Sequence, residues 1–66
     1  MFAIFSQRDM PGHYEIRSMM LLNTVPLEIL QKAKTDPLKS QGLTNFEAVA
    51  VCGKLNEWYQ EQNRRG

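Results

Sequence analysis

The stretch Thr44–Asn63, TNFEAVAVCGKLNEWYQEQN, decides the fold. It opens on Thr44-Asn45-Phe46-Glu47, a capping box in which the Thr44 hydroxyl accepts from the Glu47 amide while the Glu47 carboxylate reaches back. A helix is predicted from Asn45 to about Asn63. At roughly 100° per residue, Ala48, Val51, Cys52, Leu55, Trp58 and Tyr59 fall within one arc of about 120°, the side that should meet a core. Lys54, Glu57, Glu61 and Arg64 lie opposite, and Arg64 and Arg65 suit the negative end of the helix dipole. A second set, Phe46, Val49, Ala50 and Gly53, lies off the main stripe. Ala48 to Gly53 is therefore apolar or small nearly all round, and such a turn asks to be covered on every side.

Upstream of this helix, Asp36-Pro37-Leu38-Lys39-Ser40 reads as an extra helical turn leading to Gln41-Gly42. A short helix is predicted from Pro26 to Lys34, since proline suits the first helical position and Thr35-Asp36-Pro37 stops it. Pro26, Ile29, Leu30 and Ala33 form its apolar side, and Glu28–Lys32 has the favourable i,i+4 order. Two strands come before it. Phe2–Gln7 is short, apolar and aromatic. Tyr14–Leu22 alternates at first, with Tyr14, Ile16 and Ser18 on one face and Glu15 and Arg17 on the other. It then becomes apolar on both faces over Met19-Met20-Leu21-Leu22, which predicts burial on two sides or a waiting partner. Between the strands, Pro11-Gly12 fits the centre of a type II turn in a loop of about four to six residues. The order is β-β-α-α: an α+β domain, residues 1–66, in which a two-stranded antiparallel hairpin packs against a short and a long C-terminal helix. The full set of turn, proline and capping signals suggests a whole domain.

Sixty-six residues bury too little surface to be comfortably stable. Small folds of this size usually lean on disulfides, a metal or association. Cys52 is the only cysteine, which excludes an internal disulfide. A zinc staple needs about four ligands, and His13 and Cys52 are the only soft candidates, so no cofactor or metal is predicted. Association with a protein partner or with a second copy, a homodimer, is the support that remains.

Eight Lys and Arg against seven Asp and Glu give a net charge of +1, with no strong electrostatic attraction to nucleic acid or an acidic membrane. Nothing approaches the ~18 consecutive apolar residues of a membrane span. The opening Met1–Phe5 is too short for a signal-peptide core, and a lone cysteine without an export signal predicts a reducing compartment, the cytoplasm. The glycines are scattered, so no phosphate loop forms. One His and one Cys cannot supply a nucleophile, base and orienting group. Cys52 sits on the core arc as a small hydrophobe, Asp9, His13 and Glu15 form at most a loose cluster at the hairpin end, and Glu57 and Glu61 lie on a solvated face. The chain is not predicted to be an enzyme.

These observations predict a small non-enzymatic interaction module: a regulator, inhibitor or accessory subunit. Met19, Leu21, Phe46, Val49, Ala50 and Gly53 are its candidate contact residues, because small side chains admit a close helix and the Met-Leu run has two apolar faces. The alternative is a nucleic-acid-binding regulator using Lys32, Lys34, Lys39, Arg64 and Arg65. It is weakened by the interspersed Glu28, Asp36, Glu57 and Glu61.

Overall fold

The computed structural model describes residues 1–20 and 22–65. Its elements run in the order β1 (Phe2–Ser6), β2 (Tyr14–Ser18), α1 (Leu27–Lys32) and α2 (Asn45–Arg65). The strands pair antiparallel with Ile4 opposite Ile16, and α2 lies across one face of the hairpin. This is the predicted α+β arrangement.

Local chemistry accounts for each join. In the hairpin loop the His13 amide donates to the Met10 carbonyl at 3.0 Å, with Gly12 at φ 82°. That is the type II turn centred on Pro11-Gly12, which needs a residue free of Cβ at its third position. α1 begins at Leu27, one residue later than predicted, because Pro26 keeps extended geometry (ψ 157°) and serves as the cap. It ends early as well. The Lys34 amide donates to the Gln31 carbonyl and the Thr35 amide to the Leu30 carbonyl, both at 3.1 Å. These paired bonds are a Schellman closure, which places Lys34 in the left-handed region at φ 55°. Residues 36–40 form bends in place of the predicted extra helical turn. α2 carries the predicted capping box: the Glu47 amide donates to Thr44 Oγ1 at 3.2 Å, and the Thr44 amide donates to Glu47 Oε1 at 3.0 Å.

The main departure is at the end of β2. The strand stops at Ser18, and Met19-Met20 begin a turn with Met20 76% exposed. The Leu22 amide closes back onto the Ser18 carbonyl at 2.7 Å, with Leu22 at φ 57°. The apolar run predicted to extend a doubly buried strand is therefore a tight reversal that exposes Met19, Met20 and Leu22. After it, the chain returns alongside β2. Ser18 donates to Asn23, and Thr24 bridges to Arg17. A later pass does the same farther along. Ile16 donates to the Ser40 carbonyl and Tyr14 to the Leu43 carbonyl, each at 2.8 Å. The Ser40 hydroxyl ties the two returning segments together by donating to the Val25 carbonyl at 2.8 Å.

The core collects Ile16 from β2, Val25 and Leu43 from the returning segments, Leu30 and Ala33 around α1, and Ala48, Val51 and Leu55 from α2. Phe2, Tyr14, Ile29, Cys52 and Trp58 pack around it, half-buried. The predicted arc of α2 is thus the face that meets the hairpin.

Two stability predictions follow from the helix ends. Lys34→Gly is expected to raise stability by about 0.5–1 kcal/mol in urea unfolding, since it relieves a left-handed lysine at some cost in unfolded-chain entropy. The hydrogen bond from the Thr44 amide holds the Glu47 carboxyl below its ordinary value of 4.5 against an opposing desolvation penalty, with Lys39, the Thr44 hydroxyl and His13 adding smaller lowering effects. A depressed folded pKa stabilises fully above the unfolded value and loses that contribution as pH falls through the lower folded value. Glu47→Gln keeps an acceptor for Thr44 but does not titrate, so unfolding midpoints measured between about pH 5 and pH 3 should fall less steeply than in the wild type.

Candidate functional site

The residues predicted to contact a partner fall into two places. Phe46 (86% exposed) and Val49 (59%) stand in solvent on the first turns of α2, and Ala50 and Gly53 are exposed on the same helix. A Cβ added to Gly53 would meet nothing within 4 Å. α1 leaves this side of α2 open. Met19 lies elsewhere: its amide donates to the Met1 carbonyl, and neighbouring Phe2 is held by Asn56, well along α2 from Phe46. The six residues therefore do not make one surface, and Leu21 lies outside the described residues.

A second feature surrounds the Met19 end. Phe2, Ile29, Trp58 and Tyr59 wall an apolar cleft of about 320 Å³, closed at its rim by Ser18 and the Asn23–Pro26 segment. Phe2 and Tyr59 meet edge to face at 6.2 Å between ring centroids, which fixes the aromatic wall. None of the lining residues is charged. Met1, Met19 and Leu22, the chain neighbours of the lining residues Phe2, Ser18 and Asn23, are exposed, as is Met20. Sequence reasoning placed Trp58 and Tyr59 on the core stripe; Trp58 packs against the core and Tyr59 against Phe2, and both stay partly open to line the cleft. The cleft depends on the return of residues 23–26 beside β2, a non-local event without a period to detect.

The charged candidates are drawn into pairs. Lys32 meets Glu28 at 3.4 Å, Lys39 meets Glu47 at 3.8 Å, and Glu61 serves both Arg64 (3.6 Å) and Arg65 (3.8 Å). Lys34 shares a shallow depression with Lys54, Glu57 and Glu61. The result is a mixed-charge surface spread over α1, α2 and the connection between them, and among the described residues the basic groups form no continuous track for a phosphate backbone to follow.

A cavity of about 610 Å³ lies on the hairpin face turned away from α2 and includes Arg8, Asp9, Glu15, Arg17 and Gln41 in its lining. Glu15, predicted on the polar face, is buried there beneath Arg17, whose guanidinium approaches it at 2.8 Å and covers the Phe5 ring at 5.4 Å. This carboxylate is committed to a structural pair. His13 stays apart, with Nδ1 3.4 Å from the Pro11 carbonyl oxygen. Among the described residues no His, Cys, Asp and Glu group is arranged to hold a metal.

Asn56 was not foreseen. Its Oδ1 accepts from the Phe2 amide at 2.9 Å and its Nδ2 donates to the Phe2 carbonyl at 3.2 Å, so one side chain closes both backbone groups of a strand residue. Cys52 lies one turn earlier, its sulfur 3.5 Å from the same carbonyl. Comparison with family models, curated proteins and solved structures finds no match to this chain.

Burial pushes the Cys52 thiol above its ordinary value, against a smaller opposing effect of the Asn56 hydrogen bond. Alkylation near neutral pH should therefore run at least about 10-fold slower in the folded protein than in urea. Equal rates in the two states would show that the α2–β1 contact opens readily.

Proposed function

We propose that this chain is a small non-enzymatic interaction module, a regulator, inhibitor or accessory subunit that binds a protein partner through the cleft between α2 and the Asn23–Pro26 segment. The observation that carries this reading is an uncharged, aromatic-walled cleft whose lining residues Phe2, Ser18 and Asn23 are flanked in the chain by exposed Met1, Met19 and Leu22. Apolar anchors of a partner gain most where a pocket removes them from water, and such pockets concentrate binding energy in a few aromatic residues. Methionine next in the chain to such a cleft is adaptable, since its unbranched thioether repacks around different shapes. Leu22 supports the same assignment. A leucine held at φ 57° and left exposed meets no need of the core, and backbone strain of this kind is retained where a surface has a task. No helix among the described residues is long and apolar enough to cross a membrane.

The test is selection of displayed random peptides on the immobilised protein, followed by calorimetry on wild type and Tyr59→Ala. Enriched peptides should carry an apolar or aromatic anchor. Their affinity should fall about 30-fold in the variant, the scale of losing a central hot-spot residue, with the far-ultraviolet spectrum unchanged. Peptides that bind both proteins equally, or only basic or acidic sequences whose affinity collapses with salt, would overturn the assignment.

A further inference from the structure

The two edges of the hairpin are treated differently by the rest of the chain. On the outer side of β2, Tyr14 and Ile16 donate to Leu43 and Ser40, and Ser18 donates to Asn23. These residues turn their backbone groups away from β1. The register sets Phe2 opposite Ser18, Ile4 opposite Ile16 and Ser6 opposite Tyr14, so these three β1 residues must likewise face away from β2. The bonds from Met19 to Met1 and from Gln7 to His13 fix the same alternation at both ends. Asn56 closes Phe2. The amide and carbonyl of Ile4 and of Ser6 have no partner among the described residues.

This open edge adjoins an unusual side of α2. Asn56 and Cys52 place that flank of the helix beside β1. Asn45, Val49, Asn56, Gln60 and Asn63 follow it at helical spacing, without a charge among them. The ion-paired residues of α2, Glu47, Glu61, Arg64 and Arg65, lie off this line. A solvated helix face normally carries charge; this one carries amides and an exposed valine.

We propose that β1 pairs antiparallel with β1 of a second copy, joining two hairpins into one four-stranded sheet with both α2 helices on the same side. Three observations select a copy of this chain as the occupant. Phe2–Ser6 holds no charge and no proline, so it lacks the devices that keep edges from pairing with themselves. The pairing that uses every open group sets Ile4 opposite Ser6 of the other copy and Ser6 opposite its Ile4, with Phe5 on the two-fold axis. The alternative with Ile4 opposite Ile4 would call on Phe2, which Asn56 already closes. The same axis brings the two neutral α2 flanks together without opposing like charges, and the space beside Gly53, where an added Cβ would meet nothing within 4 Å, leaves that side of α2 open to a neighbour. Pairing also gives a marginal two-stranded hairpin the additional strands that sheets need. This interface is separate from the Trp58–Tyr59 cleft and does not depend on it.

The experiment is sedimentation equilibrium over a hundredfold concentration range on wild type, Ser6→Pro and Tyr59→Ala, together with amide exchange of the wild type. Proline at position 6 removes an amide that faces away from β2, so the hairpin keeps its own ladder. The wild type should dimerise, with slow exchange at Ile4 and Ser6. Ser6→Pro should weaken the dimer about 100-fold, because the lost and orphaned groups count once on each protomer, and Tyr59→Ala should leave it unchanged. A monomeric wild type would overturn the proposal, as would a dimer that Ser6→Pro does not weaken. Fast exchange at Ile4 and Ser6 in a wild-type dimer would overturn it even if the proline variant failed to fold.

Discussion

The outer edge of β2 is the constraint on which the remaining structure depends. Tyr14, Ile16 and Ser18 offer hydrogen-bonding groups there, and the chain answers with segments that are themselves no strands: Asn23–Val25 and Ser40–Leu43. A buried amide without a partner costs about 1–3 kcal/mol, a large share of the few kcal/mol available to a domain of this size. Placing Ile16 at the centre of the core therefore requires both segments to be laid beside it. Once they are, Val25 and Leu43 enter the core from the loops, and Ser40 locks one segment to the other. The path of the chain between β2 and α2 is the means by which β2 becomes an interior strand.

The functional surfaces follow from the same arrangement. Returning Asn23–Pro26 to the sheet requires a sharp reversal after Ser18, and the residues at that reversal are Met19, Met20 and Leu22. They are exposed because the turn has no interior. The returning segment also stands off from the last turns of the buried α2 stripe, which leaves the Phe2, Trp58 and Tyr59 rings lining a cleft instead of filling a core.

What could be read from the sequence was what repeats with a short period or closes within a turn. The capping box at Thr44 and Glu47, the Pro11-Gly12 turn, the Glu28–Lys32 pair and the buried arc of α2 all concern residues a few positions apart, where backbone geometry dictates the outcome. Strand length was different. Met19–Leu22 has the composition of a buried strand, and only the non-local demand for a partner at Ser18 turns it into a reversal. The Asn56 closure of Phe2 links residues 54 positions apart and gives no pattern in composition or periodicity. Helical geometry placed Phe46, Val49, Ala50 and Gly53 off the core stripe, and they are exposed there, whereas the separation of Met19 from them is set by the tertiary arrangement.

The two edges of the hairpin are covered unequally. The residues between Ser18 and Thr44 pass twice along the outer side of β2 and contribute α1 to the core. Among the described residues no backbone segment hydrogen-bonds to the outer edge of β1. Asn56, with Cys52 one turn earlier, closes the backbone groups of Phe2 alone and marks where the edge stops being self-sufficient. A fold that lays its connecting chain beside β2 leaves the outward groups of Ile4 and Ser6 open among the described residues, and the absence of charge along both β1 and the adjoining α2 flank makes an identical surface the most compatible cover.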